Sequence, residues 1–178
     1  MFSGSRETRA KLNLSLHITG VRSNGYHELE SIVAFADIGD LISVAPDDSL
    51  TLSTAGPFAS SLTVTKDNLV LQAAYLLQKK AKIKQGAHLA LEKHLPVASG
   101  IGGGSGDAAA TLLLLRDFWK IDVNDHALHE IALALGADIP MCLYGRSAIV
   151  RGIGEQMEMI DLPRWHVLLA NPLEPLST

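Results

Sequence analysis

The run Pro96-Val97-Ala98-Ser99-Gly100-Ile101-Gly102-Gly103-Gly104-Ser105-Gly106-Asp107 limits what this chain can fold into more than any other stretch. Residues 87–94 ahead of it alternate between apolar and polar, the pattern of a strand. Behind it, Ala108-Ala109-Ala110-Thr111 and Leu112 to Leu115 are dominated by strong helix formers. The glycines therefore join a strand to a helix N-terminus. Consecutive glycines permit positive φ and let a ligand come close to the main chain. The first turn of the following helix adds N–H groups without partners and a partial positive charge. Such a junction suits phosphate. It is no Walker loop, since Gly106 is followed by Asp107 and not by Lys. It also lacks the last glycine of the dinucleotide fingerprint, where Ser105 stands. The pattern places a helix from about Ser105 to Trp119, with Ser105 at its N-cap and Asp107 as a favourable first-turn charge.

A chain of 178 residues, 47% apolar and 19% charged, can bury one sizeable core. A net charge of −4 argues against a broad basic face for nucleic acid. Lys79, Lys80, Lys82 and Lys84 cluster where a helix closed by Gly86 is expected to end, which suits its dipole. The single Cys142 excludes an internal disulfide and fits a reducing compartment, so a cytoplasmic location is expected. It lies in an apolar run and reads as a small buried hydrophobe. No apolar run is long enough for a membrane span, and residues 1–7 do not make a signal peptide.

In residues 8–20 the alternation predicts a strand, with Leu12, Leu14, Leu16 and Ile18 on a core face and Lys11, Asn13, Ser15 and His17 on a polar one. His17 reads as a surface histidine. Lys11 and Asn13 gain interest if their face lines a cleft. Asn24-Gly25 is a turn signal between two alternating runs, with Tyr26 and His27 just beyond it. Two short strands flank Pro46-Asp47-Asp48-Ser49, and Leu62-Thr63-Val64 offers another. Asn68 can cap a helix reaching about Ile83, and Asn124 or Asp125 can cap one ending at Leu135. A turn is expected at Gly136-Ala137-Asp138-Ile139-Pro140. Strands are expected at 147–151, 155–160 and 166–170. Strands dominate the first half and helices follow, an α+β pattern.

Three groups of residues stand in order: Ala10-Lys11-Leu12-Asn13-Leu14 with Gly20, Arg22 and Asn24-Gly25-Tyr26-His27; then Pro96 to Ala110; then Leu135-Gly136-Ala137-Asp138-Ile139-Pro140. Their combination resembles the signatures of the 4-diphosphocytidyl-2-C-methyl-D-erythritol kinase family, within the superfamily of galactokinase, homoserine kinase, mevalonate kinase and phosphomevalonate kinase. The glycine motif alone points only to the superfamily. The resemblance implies an ATP-binding N-terminal domain of ribosomal protein S5 domain 2-like fold over residues 1–165. Residues 166–178 would then begin the connection to a second domain.

It further implies that Pro96, Val97, Ala98, Ser99, Gly100, Ile101, Gly102, Gly103, Gly104, Ser105 and Gly106 form the ATP phosphate loop, with Lys93 near the nucleotide. Asp138 would be the catalytic base and Lys11 its catalytic partner, offsetting charge on the transferring group. Asn13, Tyr26, His27 and Thr178 would contact substrate, Tyr26 by stacking on cytosine and His27 by hydrogen bonding to it. The implied ligands are ATP with Mg²⁺ and a cytidine diphosphate-linked polyol. The implied reaction phosphorylates the 2-hydroxyl of that polyol in non-mevalonate isoprenoid synthesis. Asn24 stands where the family usually has Asp, and Gly106 where it usually has Ser, which leaves Ser105 as the loop's hydroxyl. Another kinase of the superfamily and a non-catalytic nucleotide-binding module stay open as alternatives.

Overall fold

Two neighbouring segments at the start of the chain enter two different sheets. The first, β1 (Gly4–Glu7), pairs antiparallel with β4 (Leu41–Ala45), and the second, β2 (Lys11–Val21), pairs antiparallel with β3 (His27–Phe35). The single strand expected over 8–20 is thus broken at Thr8–Ala10, where the chain crosses between sheets, and β1 ahead of it is an element the alternation did not mark. Ala10 and Lys11 are buried at this crossing. The computed structural model describes residues 2–172 except Asn24, Thr63, Val64 and Lys66. The strand expected at Leu62-Thr63-Val64 therefore lies largely outside the described residues.

The first sheet has the order β1-β4-β6-β5, with β5 at Leu50–Ala55 and β6 at Ala87–Glu92. β5 and β6 run parallel, joined through helix α1 (Leu69–Ala81). Parallel neighbours need such a crossover. The second sheet, β2-β3-β7-β8, is antiparallel throughout, with β7 at Ala148–Gly152 and β8 at Gln156–Met159. Helices α2 (Gly103–Trp119), α3 (Asp125–Leu135) and α4 (Ile139–Tyr144) and a 3-10 turn at Ala59–Ser61 complete the described elements. The α+β reading holds.

The main core lies where α1 and α2 cover the first sheet. Ile42, Val44, Leu89 and Leu91 of the strands meet Leu77, Leu112 and Leu115 of the helices, all almost fully buried. Each such side chain contributes about 1.5–3 kcal/mol by leaving water. α2 is therefore packed into the core from Ala108 onward, which positions its N-terminus. A smaller cluster of Val33, Met141, Ala148 and Val150 joins the second sheet to α4.

Both expected caps form. The Asn68 side chain accepts from the Val70 N–H, and the Asn124 side chain from the Ala127 N–H. Four local expectations change. α1 ends at Lys82, in left-handed conformation (φ 55), before Gly86 is reached. α2 begins at Gly103 behind Gly102 (φ 69), so Ser105 is inside the helix and not its cap. Gly136 to Asp138 turn, but Ile139–Tyr144 continue as a short helix, with Pro140 in its first turn where a missing N–H costs nothing. Residues 166–170 form no strand: nothing in either sheet pairs with them, and alternation without a ladder partner makes no strand. Trp165, Val167 and Leu168 are exposed there.

The largest correction concerns the face of β2. Leu14, Leu16 and Ile18 are exposed, and Lys11 is buried. The register slips between Asn13 and Ser15, a bulge at Leu14. Directly opposed residues of an antiparallel pair share a face. Lys11 opposes Phe35 and Asn13 opposes Val33, and beyond the slip Leu16 opposes Ser31 and Ile18 opposes Leu29. The bulge thus turns Leu16 and Ile18 onto the face of Lys11 and Asn13, and the simple alternation ends there.

Candidate active site

The glycine loop leaves β6 and enters α2 through three left-handed residues in alternation, Ala98 (φ 54), Gly100 (φ 72) and Gly102 (φ 69). Two of the three are glycine, as sterics favour. At Gly102 there is a second reason: a Cβ there would lie 3.0 Å from the Cβ of Lys11. The loop is stitched to β2 at the same point, because the Lys11 N–H donates to the Ile101 carbonyl at 2.8 Å. The start of the polar β2 face and the mouth of the loop are therefore held as one unit.

At that junction the Lys11 ammonium donates to Asn13 Oδ1 at 3.0 Å and lies 3.3 Å from Asp138 Oδ2. The Lys11 side chain is 6% exposed and that of Asp138 50%. Asp138 stands just ahead of α4 and caps it with no side-chain bond, so its carboxylate is left to the cleft and to Lys11. Cys142, one turn into α4, has its thiol pushed up to about 12 by burial and then by the charge of Asp138, so it stays a neutral apolar group.

A cavity of about 580 Å³ opens beside the loop. Leu62, Leu69, Val70, Leu91, Pro96 and Val97 give it an apolar side. Its lining also includes the loop from Ala98 to Ser105 except Ile101, and the polar Thr65, Asp67 and Asn68. Such a lining suits a ligand with a flat apolar end and an anionic end. Ile101 and Gly106 do not line it. Ile101 gives its carbonyl to Lys11, and Gly106 donates to the Gly102 carbonyl and borders a smaller cavity behind α2. Gly104 is open: a Cβ there would make only ordinary contact, 3.5 Å from Leu69.

Lys93 also reaches the loop, but from beneath. It is 2% exposed, and its ammonium donates to Asp40 Oδ2 at 2.5 Å and to Asp107 Oδ2 at 2.8 Å. A Cβ on Gly103 would come within 3.0 Å of that ammonium. Asp40 Oδ1 accepts the N–H groups of His94 and Leu95 at 2.6 and 2.8 Å. Asp107 is therefore no solvent-facing first-turn charge. Burial pushes its carboxyl up to about 7, Lys93 opposing and the Asp40 charge adding. Asp40 escaped the sequence reading, because its partner is 53 positions away. The signal was Lys93 itself: a lysine at the end of a buried strand needs a carboxylate from somewhere.

The structure thus brings Lys11, Asn13, Asp138 and the loop together. It places Tyr26 and His27 elsewhere, at the far end of the β2–β3 ladder, where Val21 opposes His27, whereas Lys11 opposes Phe35. Both are exposed. Their turn is held by the Gly25 N–H to the Arg22 carbonyl and the Arg22 N–H to the Tyr26 carbonyl. The Arg22 guanidinium donates to Glu28 and, across to the β7–β8 turn, to Glu155. Asn24 and Thr178 lie outside the described residues.

The profile of the family described as GHMP kinases N terminal domain matches residues 68–146. A 4-diphosphocytidyl-2-C-methyl-D-erythritol kinase of Parvibaculum lavamentivorans is 52% identical over 171 residues, which is 96% of this chain and 59% of that protein. One from Rhizobium etli is 48% identical over 179 residues, 99% of this chain and 60% of that protein. The chain thus spans about three-fifths of these curated relatives. A crystal structure of 4-(cytidine 5'-diphospho)-2C-methyl-D-erythritol kinase superposes with a TM-score of 0.76 at 36% identity, over 90% of this chain and 56% of that one. A homoserine kinase from Cytophaga hutchinsonii superposes at 0.65 with 18% identity, over 89% of this chain and 51% of that one, a likeness of fold alone.

Proposed function

We propose that the chain, which resembles the GHMP kinases N terminal domain over residues 68–146 and the 4-diphosphocytidyl-2-C-methyl-D-erythritol kinases over most of its own length, is the nucleotide-binding and catalytic part of such an enzyme. The reaction moves the γ-phosphoryl of ATP to the 2-hydroxyl of 4-diphosphocytidyl-2-C-methyl-D-erythritol, a step of non-mevalonate isoprenoid synthesis in the cytoplasm. Residues 1–165 are the kinase domain.

The observation that carries this reading is the Lys11–Asp138 pair, 3.3 Å apart, on a lysine whose backbone is bonded to the glycine loop. A phosphate held by the loop N–H groups would lie beside that pair. Phosphoryl transfer asks a protein chiefly for position and charge stabilisation. Asp138 takes the proton of the acceptor hydroxyl as the new bond forms. Lys11, held by Asn13, offsets the negative charge of the transferring group. The adenine takes the apolar side of the cavity and the phosphates the loop side. The described residues contain no group of three or more His, Cys, Asp or Glu side chains able to hold a metal. Mg²⁺ would enter with the nucleotide that the loop N–H groups and Ser105 would hold, and would supply positive charge against its phosphates.

Tyr26 and His27 stand at one end of β3 and the pair at the other, so an acceptor reaching both would lie extended, with its base at one end and its hydroxyl at the other. Cytosine and uracil differ at the exocyclic group and at N3, and the imidazole of His27 offers one donor and one acceptor. A site built on such bonds discriminates strongly, since a mismatch strands a polar group. Steady-state kinetics of an enzyme carrying this sequence at full family length tests the assignment. His27→Ala is expected to raise KM for the cytidyl substrate by at least about tenfold, some 1.4 kcal/mol, to leave KM for ATP nearly unchanged, and to weaken preference over the uridyl analogue. A change confined to the ATP parameters would remove His27 from the acceptor site.

A further inference from the structure

Beneath the phosphate loop lies a cluster that the transfer chemistry does not use. Asp40, Lys93 and Asp107 are 1–2% exposed, and together they hold two carboxyl groups against one ammonium. Their bonding is unequal. Asp40 accepts three hydrogens: Oδ1 takes the His94 and Leu95 N–H groups and Oδ2 takes Lys93, and its own N–H donates to Thr8 Oγ1. Asp107 has Lys93 on Oδ2 only, and its Oδ1 is buried without a partner. Asp107 also lines the cavity, beside Gly103 and Gly104.

With both carboxyls ionised, the cluster carries one uncompensated negative charge in a place sealed from water. Such a charge is costly, and it would face the polyanion the loop is built to receive. A proton on Asp107 removes the charge and lets its carboxyl donate, with the Asp40 carboxylate as the neighbouring acceptor. Asp40, already accepting three hydrogens, is poorly suited to hold it. We propose that Asp107 is a positioning residue that carries a proton when nucleotide is bound, so that the Asp40–Lys93–Asp107 cluster forms a neutral floor under the phosphates.

The surroundings agree. The charged groups acting on Asp107 are Lys93 at the end of β6 and Asp40 ahead of β4. Cys142 faces it from α4 as a neutral thiol. α1 contributes apolar side chains such as Val70, Ala73 and Leu77. Arg6 of β1 pairs with Asp117, farther along α2, and Arg116 pairs with Asp125 of α3. Burial already raises the Asp107 carboxyl to about 7, and phosphate at the loop pushes in the same direction.

The inference rests on the loop being the nucleotide site, and the test separates the two. Binding of an ATP analogue to the chain is measured by calorimetry from pH 6 to 8.5, in buffers of different ionisation enthalpy, for wild type and Asp107→Asn. The terminal phosphate of the analogue titrates alike in both, so the difference isolates Asp107. The wild type is expected to take up additional protons above pH 7 and to lose affinity by up to about tenfold per pH unit relative to the variant. At pH 6 the two should agree within about threefold. The ¹³C shift of the Asp107 carboxyl in the wild-type chain needs no variant, and its titration midpoint is expected to rise when nucleotide is added. Nucleotide binding with an unmoved or lowered midpoint overturns this proposal alone. Absence of nucleotide binding at every pH overturns it together with the functional reading.

Discussion

Lys11 and Lys93 approach the same glycine loop from two sides, and almost everything else about them differs. Lys11 meets one carboxylate, Asp138, which is half exposed. Lys93 is closed in between two carboxyl groups that water does not reach. An ammonium whose partner stays solvated can transfer its attention to an incoming phosphate at little cost. One fixed by two buried carboxyls cannot leave them without stranding charge. The contrast supports the proposal that chemistry belongs to the Lys11 side of the loop and architecture to the Lys93 side. The backbone agrees: Asp40, bonded to Lys93, takes the N–H groups of His94 and Leu95 where the loop departs, whereas Lys11 touches the loop at Ile101 and Gly102, where it arrives at the helix.

The sharpest way to break this division is Asp138→Asn. On the open side, loss of the base is expected to lower kcat by about 10²–10⁴ while nucleotide affinity stays nearly unchanged, as single-turnover rates and titration calorimetry would show. A variant within tenfold of the wild-type rate would take the base role from Asp138.

Next in size is the pair of lysine variants. Lys93→Met leaves two buried carboxyls without their cation and is expected to cost about 3–5 kcal/mol of stability, on the order of 10 °C in thermal unfolding for a chain of this size. Lys11→Met leaves Asp138 hydrated and should cost about 1 kcal/mol or less. Equal melting temperatures for the two variants would erase the comparison.

The smallest effect separates two neighbouring glycines. A side chain on Gly104 enters the cavity with only Leu69 close by, whereas one on Gly103 presses the buried Lys93 ammonium. Gly104→Val is expected to weaken nucleotide binding at least about tenfold, some 1.4 kcal/mol, with unfolding nearly unchanged. Gly103→Val is expected to lower both. Retained nucleotide affinity in Gly104→Val would place the phosphates elsewhere.

Much of this was legible in the sequence wherever a local pattern sufficed. The glycine loop and the Asn68 and Asn124 caps depend on neighbours within a few positions and stand where the residues say, and the loop's helix forms two residues earlier than expected, at Gly103. Lys11, Asn13 and Asp138 were singled out by family resemblance; their meeting at 3.0–3.3 Å is a fact of the fold. What escaped depends on distant partners. Asp40 has no local signature, since its role exists only once β4 lies beside β6. The bulge at Leu14 preserves the alternation of residue types while exchanging their faces. The break between β1 and β2 is a change of sheet that alternation does not register. Residues 166–170 carry an alternating pattern without a strand to complete it.

The most direct measurement is an amide NMR spectrum of the chain titrated with Mg²⁺ and an ATP analogue. The account predicts that the N–H signals of Gly102, Gly103, Gly104 and Ser105 move first and farthest, with Lys11 following and those of Tyr26 and His27 left in place until the cytidyl substrate is added. Saturable shifts centred on the β2–β3 turn or on the cavity behind Gly106, with the glycine signals unmoved, would contradict it.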